Sequence, residues 1–149
     1  MNCRHCTSPI SLELIDLGMS PPSNSLVFSK EIKQQSFPLR VLVCEDCWLV
    51  QTEDFHSPAD LFDQNYPYLS GYSSTWQRHC KVFAERMIHM LSLNSNSKVI
   101  EIASNDGTLL EYFKQTGVDC LGVEPTPAAN EIARQRGLKV NENFLDQNL

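Results

Sequence analysis

Two Cys-x-x-Cys motifs, Cys3-Arg4-His5-Cys6 and Cys44-Glu45-Asp46-Cys47, are the clearest chemistry in this chain. Two residues between cysteines let both sulfurs converge from one tight turn onto one ion, and two such turns complete a tetrahedral four-thiolate site. The alternatives are a pair of disulfides or plain buried thiols. Paired Cys-x-x-Cys turns at hairpin tips favour zinc over both. Four thiolates saturate the ion, so its role would be structural, with no position open for catalysis. His5 is a possible substitute ligand, but a solvent-facing histidine is the simpler expectation.

A second constellation is Ser104-Asn105-Asp106-Gly107 together with Glu124. The turn follows a short apolar β-branched run, Val99, Ile100 and Ile102, of the kind that fills a buried parallel strand. GTLLEYFKQTG then reads as a helix closed by glycine, and VDCLGVEP as a second strand with Glu124 at its carboxyl end. Strand, small-residue turn, helix, strand and acid make the first half of a nucleotide-binding α/β sheet, whose ligands sit beyond the carboxyl ends of the strands. A dinucleotide fold would place G-x-G-x-x-G in this turn, whereas here it has one glycine and a carboxylate where a diphosphate would need room. An acid there suits a ligand with a cationic end and no phosphate. S-adenosylmethionine (SAM) fits, with its charged end near the turn and its ribose at Glu124. The alternative is an αβ unit whose acids only cap a helix and face solvent.

Tyr66, Tyr68 and Tyr72 form a third group, in a loop punctuated by proline and glycine. Crowded phenols can orient a substrate or carry protons. Aromatic packing over a domain junction is the commoner use of such a cluster.

The elements that must position these groups are legible in outline. SLELIDLG alternates like a strand, and FPLRVLV and WLVQT flank the second cysteine pair as the arms of a hairpin. The 37 residues between Cys6 and Cys44 imply a zinc ribbon with an insertion, crossing through Pro21-Pro22-Ser23-Asn24-Ser25. Ser57-Pro58-Ala59-Asp60 has the cap, proline and acid of a helix start. From Ser74, the residues Trp76, Cys80, Phe83, Met87 and Leu91 recur at helical spacing, and this face is expected to cover the sheet. Cys80 and Cys120 are then core thiols. Thr126 and Pro127 open a further helix that Gly137 ends, and LKVNENF is a third strand. The predicted architecture is a small β-rich zinc ribbon over residues 1–56 and a connecting segment with the tyrosine loop and helix over 57–97. A partial Rossmann-like α/β domain of about three parallel strands follows over 98–149.

With 149 residues and a net charge of −6, the chain has room for two small domains and little attraction for nucleic acid. No stretch is long and apolar enough to span a membrane, and the start has no apolar signal core, so a cytoplasmic location is expected. In that reducing compartment six cysteines read as ligands or buried thiols.

Taken together, these segments resemble the SAM-dependent sugar C-methyltransferase family, which carries an N-terminal zinc-binding domain. The resemblance runs through the two cysteine pairs, LGMSPPSNSL, FPLRVLVCEDCWLVQ, NYPYLSGYSSTWQRH, VIEIASNDGTLLEYF and LGVEPTPAA. It implies a structural zinc on Cys3, Cys6, Cys44 and Cys47. It also implies SAM at Ser104, Asn105, Asp106, Gly107 and Glu124, and Tyr66 or Tyr68 in the cleft over the substrate. The substrate it implies is a keto-sugar on a nucleoside diphosphate, methylated at carbon through an enolate. The family's sheet is larger than the three strands found here, and its proposed catalytic histidine lies in the part that follows. The chain is therefore expected to be an amino-terminal portion, inactive alone, binding SAM weakly or not at all. Its first α/β strand would be left with an unpaired edge open to self-association. A zinc-ribbon interaction module on a non-catalytic α/β scaffold is the competing reading; an NAD-type oxidoreductase half is disfavoured by the single-glycine turn.

Overall fold

The computed structural model describes residues 1–146, and the chain divides into two units, Met1–Leu61 and Phe62–Leu149. Residues 147–149, the end of the third predicted segment, lie outside the described residues.

The first unit is a three-stranded antiparallel sheet, β1 (Leu12–Ser20), β2 (Phe37–Val43) and β3 (Val50–Thr52), in that spatial order. β2 and β3 are the expected hairpin, with Val43 opposite Val50 and the second cysteine pair at the tip. Arg40 reinforces it with a forked contact to Glu53, at 2.8 and 2.7 Å. β1 runs against β2 with two register irregularities; at the second, Gly18 takes φ 77° and donates its N–H to Asp16 Oδ1. The alternation of β1 does not produce a buried face: Leu14, Ile15, Leu17 and Met19 are all exposed. A unit this small has little apolar interior to offer, and its buried centre is the cysteine cluster with Leu42 and Gln51. The short helix α1 (Pro58–Leu61) opens with a reciprocal cap: Ser57 Oγ accepts from Asp60 N–H, and Asp60 Oδ2 accepts from Ser57 N–H.

The second unit holds three parallel strands, β4 (Lys98–Ile102), β5 (Asp119–Val123) and β6 (Lys139–Asn141), in spatial order β4-β5-β6. Helix α3 (Thr108–Lys114) connects β4 to β5, and α4 (Pro127–Gln135) connects β5 to β6. Gly117 and Gly137, at φ 86° and 73°, end the two helices as their positions in the sequence predict. Thr126 stands at the start of α4, but its side chain makes no cap bond. Leu110, Phe113, Val118, Cys120, Ala133 and Leu138 form the core, with Val99 and Val140 packed against it. Ile100 and Ile102 alternate to the opposite face of β4 and are largely exposed.

Helix α2 (Ser74–Met90) begins where predicted, with Ser73 Oγ accepting from Trp76 N–H. Its inward stripe differs from the expected one. Cys80 and Ala84 are buried and Met87 and Ile88 partly so, whereas Trp76, Phe83 and Leu91 are exposed. The small Ala84 lets α2 lie close against α3, and the large rings turn outward, where Trp76, His79 and Phe83 stack at 5.0 and 6.5 Å. Cys80 and Cys120 are core thiols as predicted, and burial pushes both thiols above their ordinary pKa. Among the described residues no helix is long and apolar enough to cross a membrane.

Candidate metal centre and cofactor turn

The two Cys-x-x-Cys turns are built alike. In each, the residue after the second cysteine adopts a left-handed conformation, Thr7 at φ 64° and Trp48 at φ 62°. Its N–H reaches the carbonyl of the first cysteine, at 3.0 Å for Thr7 to Cys3 and 2.8 Å for Trp48 to Cys44. The N–H of the first cysteine in turn bonds the carbonyl five residues on, Cys3 to Ser8 and Cys44 to Leu49. Each turn thus aims both of its sulfurs to one side.

The four sulfurs lie within 4.8 Å of one another, with Cys3–Cys47 and Cys6–Cys44 both at 3.5 Å. A zinc ion about 2.3 Å from each of four sulfurs needs them about 3.8 Å apart, so the cluster has the dimensions of a tetrahedral site. The pairs are far beyond the roughly 2.0 Å of a disulfide bond. Backbone N–H groups, that of Cys6 first, and the Gln51 amide pull the Cys3 thiol down to about 6. The N–H side of Leu49 favours the Cys47 thiolate, yet burial and the neighbouring sulfurs push that thiol up to about 12. Sequence reading missed Gln51. It is buried, donates to Cys3 Sγ at 3.4 Å and accepts from Arg4 N–H at 3.2 Å, so one strand residue braces the first turn. Its β-strand position between Val50 and Thr52 carries no sign of this. His5 is exposed and outside the cluster.

At the carboxyl ends of β4 and β5 the chain makes a strained turn. Ala103, Asn105 and Gly107 have φ 58°, 50° and 75°, and Ser104, Asn105, Asp106 and Gly107 are all buried. A Cβ on Gly122 of β5 would run into Ser104 Oγ, so glycine there lets the turn lie against the strand. Glu124 is 4% exposed and binds the turn from below: Oε2 accepts from Asn105 N–H at 2.9 Å and Oε1 from Thr126 N–H at 2.8 Å. Asp106 Oδ1 accepts from Thr108 N–H at 3.1 Å and from its hydroxyl at 2.6 Å, capping α3. Both acids therefore meet backbone N–H groups while buried, an arrangement between the two sequence expectations: they cap, but they do not face solvent. The cation beside Asp106 is the chain's own Arg136, 3.6 Å from Oδ2.

The tyrosine loop meets this turn. Ser70 N–H donates to Asn105 Oδ1 at 2.8 Å, Asn105 Nδ2 donates to the Tyr68 carbonyl at 3.1 Å, and Gly71 N–H donates to Asp106 Oδ2 at 2.8 Å. The Tyr68 and Tyr72 side chains are exposed, and the Tyr66 ring packs on Phe62 at 5.1 Å.

Four polar atoms beside the turn are buried with no hydrogen-bond partner in the structure: Glu101 Oε2, Ser104 Oγ, Thr126 Oγ1 and Asn130 Oδ1. Buried groups left in this way ordinarily meet a water or ligand. Each oxygen of Glu124 also accepts only one of the two hydrogen bonds it can take. At the strand ends, Ser104 Oγ, Thr126 Oγ1 and the remaining acceptor positions of Glu124 fit a polar, hydroxyl-bearing ligand. Glu101 lies on the helix-covered face of β4, and burial first, then the charge of Asp106, pushes its carboxyl up to about 7. Sequence reading gives Glu101 no role, although an acid inside an apolar run is visible.

Residues 3–62 match the zinc-binding domain family model Methyltransf_13. The first unit is thus similar to that zinc-binding domain, and the cysteine cluster agrees. The chain is also 28% identical over 139 residues to C-methyltransferase NovU of Streptomyces niveus, across 92% of this chain and 33% of the relative. It spans about a third of the length of the curated relative that it matches. These matches bear out the family resemblance carried by the sequence motifs: the chain is similar to the N-terminal portion of a C-methyltransferase.

Proposed function

We propose that the chain supplies the zinc-binding domain and the cofactor-binding half-sheet of a SAM-dependent C-methyltransferase acting on a keto-sugar carried by a nucleoside diphosphate. The observation that carries the reading is the alignment with a C-methyltransferase across 92% of the chain, together with the zinc-binding model over residues 3–62, which takes in both cysteine turns. In this reading Cys3, Cys6, Cys44 and Cys47 hold zinc as thiolates, and the ion orders the first unit. The backbone of Ser104, Asn105, Asp106 and Gly107 lies against SAM, and Glu124 takes its ribose hydroxyls on the acceptor positions still free. SAM supplies an electrophilic methyl group when bound. Tyr66 and Tyr68 stand over the substrate and hydrogen-bond its oxygens, holding the reacting carbon in line with that methyl group. The setting is cytoplasmic, where thiols stay reduced and available to the metal.

The experiment is a chimera in which residues 1–146 replace the matching segment of C-methyltransferase NovU. Transfer of labelled methyl from SAM to a nucleoside-diphosphate keto-sugar, reduced at least tenfold by Tyr68→Phe, is the expected result. A folded, zinc-loaded chimera with no transfer would refute the reading.

A further inference from the structure

The side chains of Asn105 and Asp106 are engaged by the tyrosine loop. Asn105 uses its amide as a strand uses its backbone: it accepts from Ser70 N–H and donates to the carbonyl of Tyr68, two residues earlier. Asp106 takes Gly71 N–H on Oδ2 while Oδ1 is filled by Thr108. Gln77 Nε2 holds the Gly71 carbonyl at 2.5 Å, so the peptide at Gly71 is gripped from both sides. Arg136, at the carboxyl end of α4, completes the set: Nη1 donates to Thr108 Oγ1 at 2.8 Å, and Nη2 lies 3.6 Å from Asp106 Oδ2. The fit leaves no space. A Cβ on Gly71 would lie 2.7 Å from Asp106 Oδ2, 2.9 Å from Arg136 Nη2 and 3.1 Å from Thr108 Oγ1.

We infer that Asn105, Asp106 and Arg136 are positioning residues that latch the tyrosine loop onto the cofactor turn, and that Gly71 is required for the loop to seat. This deepens the proposed function and rests on it for the role given to Tyr68. The cofactor would meet the backbone of the turn, while the turn's side chains fix where Tyr68 begins. The same short segment then sets both halves of the reacting geometry. Arg136 balances the charge of Asp106, whose carboxylate is enclosed with only 2% of its side chain exposed. It also braces Thr108 at the start of α3, so the last turn of one helix steadies the first turn of another.

The latch is tested by hydrogen exchange on the zinc-loaded chain. Asp106→Asn leaves one acceptor oxygen and no charge where the carboxylate serves both Gly71 N–H and Thr108 N–H, and Gly71→Ala dislodges the loop with every residue of the turn left in place. Each should raise amide exchange at Ser70 and Gly71 (or the residue replacing it) by about ten- to a hundredfold, the effect of losing a charge-assisted hydrogen bond. Exchange at Leu110, Phe113 and Val123 should stay within about twofold in Gly71→Ala, which separates loop release from unfolding if Asp106→Asn also weakens α3. Wild-type exchange at Ser70 in both variants would overturn the inference. In the methyltransferase chimera, Gly71→Ala should lower kcat more than tenfold while the Kd for SAM moves less than threefold. A fall in SAM affinity with kcat intact would also overturn it. If the wild-type chimera transfers no methyl group, the proposed function fails, and the exchange result alone then decides the latch.

Discussion

Replacing Glu101 by glutamine should stabilise the second unit at neutral pH and above, with the gain fading as pH falls towards 4.5. The carboxyl is pushed from 4.5 up to about 7, by burial first and then by the charge of Asp106, and its Oε2 has no hydrogen-bond partner. An acid whose folded value lies above its unfolded value holds more protons when folded at pH between the two. Stability is then highest below 4.5, falls as pH rises to about 7, and stays reduced above that. A shift of this size corresponds to roughly 3 kcal/mol, reduced to about 2 kcal/mol because water still reaches part of the group. Glutamine has the shape of the protonated acid and no charge, and it carries a similarly unpartnered donor in the same place. The expected gain is therefore about 2 kcal/mol at pH 8 and about 0.8 kcal/mol at pH 5. Trp48 belongs to the first unit and Trp76 to the second. Urea unfolding in a Trp48→Phe background, followed by Trp76 fluorescence, thus reads the second unit by itself. Destabilisation at pH 8, or an equal gain at both pH values, would refute the argument from a buried charge.

Cys44→Ser should cut bound zinc from about one per chain to near none and loosen the first unit, with Cys80 and Cys120 still slow to react with thiol reagents; metal analysis and thiol titration check this. Two disulfides by mass, with no zinc, would contradict the metal site. Gly122→Ala should cost the second unit about 1–3 kcal/mol by urea unfolding, because the added methyl meets Ser104 Oγ in a closed space; a cost below about 0.5 kcal/mol would mean that the turn does not lie against β5 as described. In the methyltransferase chimera, Glu124→Ala should weaken SAM binding by roughly 1–3 kcal/mol by calorimetry, the scale of lost charge-assisted hydrogen bonds, and should leave zinc content unchanged.

Much of this organisation was legible in the sequence where local chemistry dictates it. The Cys-x-x-Cys spacing fixed the two turns, and the flanking β-branched residues placed the second at a hairpin tip. Glycines at 117 and 137 marked the helix ends because only the left-handed conformation closes them there. What escaped depends on contacts remote in sequence. The partners of Asn105 and Asp106 lie 35 residues away, in a loop whose conformation has no periodic signal. Gln51 looks like a polar strand residue until the cysteine turn packs on it. The α2 stripe was misread because large hydrophobic residues were assumed to point inward, whereas close packing on α3 selects the small Ala84. The alternation in β1 promised a buried face that the first unit, built around four sulfurs, does not supply.

The measurement closest to the central claim is a titration with SAM of the zinc-loaded methyltransferase chimera, isotopically labelled over residues 1–146, followed amide by amide in NMR spectra. Shifts that saturate and are confined to Ser104, Asn105, Asp106, Gly107, Glu124 and their immediate neighbours, and that are lost in Glu124→Ala, are the predicted result. Unmoved amides at those positions, or saturating shifts centred elsewhere in the chain, would contradict the account.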